Sequence, residues 1–182
     1  MMQEFVQRLQ EMAGDAVNGI HTAIPGQIVS FDPASGLAVV SPSMKYKKPD
    51  GTAIDYPNVT GVPVYFPQGA AQKASIAYPV KAGDGCLLIV SEQSLDYWMY
   101  QQETSSELRF DLTNSIALVG LFVAAGPGVQ RACDEDAVVV TAGSTVLTVA
   151  PDGVDIIGDV TIKGNVTVTG DFTTTGGVVN LN

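Results

Sequence analysis

From Gly158 onward the chain repeats itself every six residues. Gly158-Asp159-Val160-Thr161-Ile162-Lys163 is followed by Gly164-Asn165-Val166-Thr167-Val168-Thr169 and then by Gly170-Asp171-Phe172-Thr173-Thr174-Thr175; Gly176-Gly177-Val178-Val179 begins a fourth unit. Each unit supplies Gly with Asp or Asn for a turn, then three or four strand residues. Side chains alternate along a strand, so Val160 and Ile162 share one side, as do Val166 and Val168, while Thr161, Lys163, Thr167 and Thr169 lie opposite. No second layer follows in sequence to cover the apolar side.

Full burial of a Val or Ile is worth roughly 1.5–3 kcal/mol. A row of them left in water is a penalty and an aggregation hazard. Three copies wound about a common axis remove both problems, with Val160, Ile162, Val166, Val168 and Phe172 as the trimer core. A single-chain hexapeptide solenoid is the simpler alternative, but such solenoids need longer arrays than this. The same period also fits adhesins and trimeric acyltransferases.

Upstream, the pattern differs. Met2 to Asn18 reads as an amphipathic helix, with Phe5, Leu9, Met12 and Ala16 at helical spacing and Val6, Ala13 and Val17 widening the stripe. Such a helix packs on its own domain or, on the sharper reading, on a neighbouring subunit or tail tube. From Pro25 to Pro127 short strands alternate with Gly and Pro. Gly26–Asp32 and Leu37–Val40 form a hairpin across the turn Pro33-Ala34-Ser35-Gly36. Val62–Phe66 is an edge strand interrupted by Pro63. Cys86–Val90 looks buried on both faces, and Ile116–Leu121 is the fifth strand; Gly69–Ser75 is a small-residue loop. Five strands opened by a hairpin suit a small barrel such as the OB-fold. Val138–Thr141, Val146–Val149 and Val154–Ile157 are further short strands. The expected fold is all-β: helix and linker at 1–24, an OB-fold-like collar at 25–128, and an intertwined trimeric β-helix at 129–182.

With 9 basic against 19 acidic residues and a formal charge of -10, the chain lacks the phosphate-neutralising surface of a nucleic-acid binder. The same balance disfavours docking on an anionic membrane. No apolar run is long enough for a spanning helix, and the first residues lack the pattern of a secretory signal, so synthesis and folding in the host cytoplasm are expected. Two cysteines, Cys86 and Cys133, make no disulfide framework and are expected to be small buried residues.

These blocks resemble the central spike, or membrane-piercing protein, of Mu-like contractile phage tails and related contractile bacteriocins. The likeness is carried by Gly61-Val62-Pro63-Val64-Tyr65-Phe66-Pro67, by Pro79-Val80-Lys81-Ala82-Gly83-Asp84-Gly85-Cys86-Leu87-Leu88, by Ser91-Glu92-Gln93-Ser94-Leu95-Asp96-Tyr97-Trp98, and by Phe110 through Gly120. It implies an OB-fold collar that trimerises at the end of the tail tube and a β-helix ahead of it, driven through the bacterial outer envelope when the sheath contracts. It implies a homotrimer in the virion tail baseplate, joined to a hub or tail-tube protein, with no enzymatic step and no cofactor. Members of this type often end in an apex where His-x-His pairs hold iron. This chain has one histidine, His21, and its last residues are Asn180-Leu181-Asn182, so no tip metal site carries over. Either a separate protein caps the tip or the chain is truncated.

Other chemistry is sparse. His21 lacks a second histidine for a metal cluster and lies outside the repeats, where an acyltransferase base would be needed. Asp134-Glu135-Asp136 lacks the spacing of a calcium loop and reads as a solvated turn. There is no Gly-x-Ser-x-Gly elbow and no Gly-rich phosphate loop with Lys. Lys45, Lys47 and Lys48 read as a soluble hairpin tip, and alternatively as a docking patch for an acidic baseplate partner. Tyr97, Trp98 and Tyr100 either pack within the barrel or a subunit interface, or grip the hub or tube. A trimeric glycan- or receptor-binding tail fibre or adhesin is the alternative function; it needs an aromatic-lined groove, and the repeats offer only Phe172.

Overall fold

The computed structural model describes residues 2–48, 50–102 and 108–177. It divides into two compact units, 1–123 and 124–182. The first unit opens with helix α1 (Met2–Asn18). There follow β1 (Ala23–Asp32), β2 (Leu37–Pro42), the hairpin β3 (Lys45–Lys47) and β4 (Ala53–Asp55), and β5 (Val59–Pro63). A two-residue ribbon, β6 (Gln68–Gly69) with β7 (Ala74–Ser75), precedes β8 (Gly85–Val90), the short helix α2 (Asp96–Tyr100) and β9 (Ser115–Val119).

Five of these strands form one sheet in the order β5-β2-β1-β8-β9, and every neighbouring pair is antiparallel. Turn chemistry fixes the first hairpin. Asp32 accepts the Ala34 N–H at 3.0 Å and the Ser35 hydroxyl at 2.6 Å, while Gly36 takes a positive φ of 74° that favours glycine. The register of β1 against β2 then slips between Ile28 and Ser30, a bulge at Val29. A bulge adds one residue to one strand and reverses which residues face inward. Ile24 and Ile28 are buried ahead of it, and Phe31 packs on the core beyond it. With a second slip between β2 and β5, the sheet curls until its two end strands meet at a parallel bridge from Val64 to Ala117. The result is a barrel-like sheet compatible with the OB-fold.

Its core is Ile24, Ile28, Val40, Val62, Cys86 and Leu88 with their buried neighbours. Contrary to expectation, β8 is buried on one face only: Cys86, Leu88 and Val90 point in, and Ile89 is exposed. A curled antiparallel sheet has one inner surface, so an apolar run within it does not bury both sides.

The second unit contains α3 (Pro127–Asp134) and the strands β10 (Val138–Ala142), β11 (Thr145–Ala150) and β12 (Gly153–Ile157). The strands form an antiparallel meander. Helices α2 and α3 were not expected, so the fold is mostly β rather than all-β. A signal for α3 was present: Pro127 directly follows Gly126, and proline is favoured in the first helical turn.

Residues 158–177, which carry the six-residue repeat, contain no strand, and every residue there is exposed. The single chain therefore does not display the expected trimeric β-helix. A lone chain offers these units no partner strand, and three residues between turns cannot form a sheet alone. Val178 and Val179 of the fourth repeat lie outside the described residues.

Candidate assembly surfaces

The meander has two unlike faces, and its register says which residues share each. Val138 pairs with Val149 and Val149 with Val154; Val140 pairs with Leu147 and Leu147 with Ile156. Paired residues project to the same side of a sheet. These six side chains therefore form two continuous apolar rows across three strands. Five are exposed, among them Val140 at 58% and Ile156 at 48%. The opposite face carries Val139, Thr141, Val146, Thr148, Asp155 and Ile157. Gly128 of α3 lies against it; a Cβ there would come within 3.2 Å of the Thr141 hydroxyl. Thr148 on the same face is buried. Helix α3 therefore packs beside Thr141 on the mixed face, where Thr141, Asp155 and Ile157 stay exposed, and the apolar face is open.

The repeat continues this exposure. Val160, Ile162, Val166, Val168 and Phe172, the expected trimer core, are all exposed, with Ile162 at 61% and Phe172 at 69%. Nothing in their own unit covers them.

Helix α1 presents a further uncovered stripe. Phe5, Leu9 and Met12 are exposed, Phe5 at 60% and Met12 at 68%. The reading in which α1 packs on its own domain is not what the structure shows, since all its described side chains are exposed.

The candidate docking residues are separated in sequence and environment. Tyr97, Trp98 and Tyr100 all lie on α2 and are exposed. Lys45 and Lys47 lie on β3, ahead of Lys48 and the turn at Gly51. Lys45 pairs with Asp55 across the hairpin at 3.1 Å, an exposed bridge of small energetic value.

Titratable groups explain local structure. His21 sits edge-on to Tyr56 at a centroid distance of 5.7 Å, and its backbone N–H donates to the Phe110 carbonyl. The Asp111 carboxyl is held below its usual range, chiefly by the Thr113 hydroxyl and backbone N–H, with a smaller contribution from the His21 charge. Burial pushes the Cys86 thiol up to about 11, so it is an inert core residue. Cys133, expected to be buried, is exposed on α3. Among the described residues no group of three or more His, Cys, Asp or Glu is placed to hold a metal ion. A groove of about 460 Å³ lies over Gly26, Gly85 and Cys86, walled by Leu121 and Phe122, and has no convergent charged groups.

Residues 24–120, a little over half of the 182, match the family model described as the phage protein Gp138 N-terminal domain. The matched stretch coincides with β1 to β9 and excludes both α1 and the second unit. No curated protein matches the chain.

Proposed function

The chain belongs to the phage protein Gp138 N-terminal domain family, and on that premise we propose that it is the trimeric central spike at the end of a contractile phage tail tube. In this reading the first unit is an OB-fold collar seated on a baseplate hub or tube protein. The second unit and the repeat form a threefold strand prism that pierces the bacterial envelope when the sheath contracts. The work is mechanical and requires no catalytic group.

One observation carries the reading. The rows Val138/Val149/Val154 and Val140/Leu147/Ile156 form an open apolar face, and exposed Val160, Ile162, Val166, Val168 and Phe172 follow directly in sequence. Exposed apolar surface of this extent marks an interaction site. The lining is aliphatic and its rows repeat, which suits packing against identical copies about an axis. A sugar-binding surface would instead present aromatic planes beside hydrogen-bonding groups.

Sedimentation equilibrium of the purified protein tests the proposal. A mass near 57 kDa, three times 19.0 kDa, is expected; a monomer contradicts it. A trimer with selective hits on a glycan array would favour a receptor-binding fibre instead.

A further inference from the structure

Two segments of opposite character leave the barrel beside the start of β1. Beyond β2, Ser43 donates its backbone N–H to the Pro25 carbonyl at 2.8 Å, and the chain runs out into the β3–β4 hairpin before returning at Tyr56. Beyond β8, Val90 donates to the Thr22 carbonyl at 2.9 Å, and the chain runs out through α2 before returning at Phe110. His21 lies between the two returns, its ring edge-on to Tyr56 and its backbone N–H on the Phe110 carbonyl. In the sheet β2 and β8 flank β1, so the hairpin and α2 leave the same end of the barrel from opposite sides of that strand.

The hairpin is basic. Lys45, Lys47 and Lys48 are three of the chain's nine basic residues. Lys45 is paired with Asp55, while Lys47 and Lys48 pair with no carboxylate among the described residues. Tyr46 lies opposite Ile54, so both project to one side, and both are exposed. The α2 segment is acidic and aromatic. Between Ser91 and Arg109 the sequence holds four acidic residues against one basic. Arg109 pairs with Glu92 at 3.0 Å, and Asp96 has no ion-pair partner among the described residues. Beside Asp96 stand the exposed Tyr97, Trp98 and Tyr100. The buried Asn114 holds this segment at both ends: its side chain donates to the Leu108 carbonyl at 2.9 Å and accepts the Leu95 N–H at 3.4 Å. Fixing the segment in advance lowers the ordering cost of a contact made there.

We infer that the β3–β4 hairpin of each copy docks on α2 of the next copy around the collar. The inference rests on the threefold assembly proposed above and adds a contact between collars to it. A head-to-tail interface needs two different, mutually complementary patches on one chain, and it closes into a ring when the rotation matches. Both patches lie at one end of the barrel, on opposite sides of β1. Lys47 and Lys48 bring unpaired cations to Asp96 and to the faces of Trp98 and the tyrosines, where cations are attracted by the ring electrons as well as by the carboxylate. Trp and Tyr are the side chains that most often dominate such interfaces. A separate partner protein would need only one of the two patches.

Cross-linking in the full-length chain with a short bis-maleimide tests this. Cys133 is replaced by serine to remove the exposed thiol, and Cys86 stays because it is buried. Lys48→Cys and Tyr100→Cys are made singly and together, which keeps Lys47, Asp96 and Trp98 in place. The double variant should run as covalent dimers and trimers on a denaturing gel, while each single variant stays monomeric. Sedimentation of each variant is recorded in parallel. A trimer in which the double variant links no better than the singles overturns the collar contact and leaves the threefold spike standing. So does a trimer whose cross-link lies within one chain, or one in which a single variant links to itself. A monomeric mass overturns both.

Discussion

Tyr65 donates its backbone N–H to the carbonyl of Ala117 at 2.9 Å, beside the parallel bridge between Val64 and Ala117. This pairing joins the last strand of the sheet order to the first, and it turns a curled ribbon into a barrel-like unit. Ala117 is fully buried at the closure. Gly85 makes a similar close approach: a Cβ there would sit 2.0 Å from the Leu121 carbonyl oxygen.

Barrel closure should therefore be sensitive to added volume. Ala117→Leu and Gly85→Ala should each destabilise the first unit by about 1–3 kcal/mol, the usual cost of overpacking. Thermal unfolding followed by circular dichroism checks this. An unchanged melting temperature for Ala117→Leu would mean that the closing bridge is loose.

The two thiols should behave oppositely. Cys133 is exposed, whereas Cys86 is buried with its pKa pushed up to about 11. At pH 8 the native protein should react with a disulfide reagent at one thiol per chain, and at two after unfolding. Fast reaction of both in the native state would show that the core around Leu88 opens readily.

Asp111 should titrate below the ordinary carboxylate midpoint of 3.8. A folded-state pKa below the unfolded value stabilises the fold above about pH 4, and that contribution is lost as pH falls through the lower folded-state midpoint. Thr113→Val removes the hydroxyl that contributes most, so the Asp111 midpoint should move up toward 3.8. Carboxyl titration by NMR reads the shift directly. An unmoved midpoint would assign the effect to the backbone N–H and His21.

The open face of the meander yields the sharpest substitution. Val140→Asp or Ile156→Asp would place three carboxylates at the proposed axis, and breaking up such a core costs several kcal/mol per unpaired charge. The trimer should dissociate, while the melting of the first unit stays within about 0.5 kcal/mol of the parent, as for distant surface changes. A trimer that survives both substitutions would place the interface elsewhere.

Much of this architecture was legible because its determinants are local. The turn at Asp32–Gly36 is written in hydroxyl, carboxylate and glycine, and β1, β2, β8 and β9 fall within a few residues of their expected bounds. The third strand lies at Val59–Pro63 rather than at the expected Val62–Phe66, and it stands at one end of the sheet order with Pro63 as its last residue. Helix α2 was missed because Asp96-Tyr97-Trp98-Met99-Tyr100 is rich in residues that favour strands. The two-sided burial expected of Cys86–Val90 failed because periodicity alone cannot show which side of an apolar run meets the core. The continuous apolar rows of the meander depend on the Val138–Val149–Val154 register, a long-range relationship that no single strand encodes. For the six-residue repeat, the alternation was readable, but residues 158–177 form no strand in the single chain.

Amide hydrogen exchange along Val160, Ile162, Val166 and Val168 in the assembled protein tests the spike most directly. A threefold prism predicts slow exchange there, lost together with the trimer when Val140→Asp is introduced. Rapid exchange at those amides in an intact trimer would contradict it, because the repeat would then be free in water rather than paired between copies.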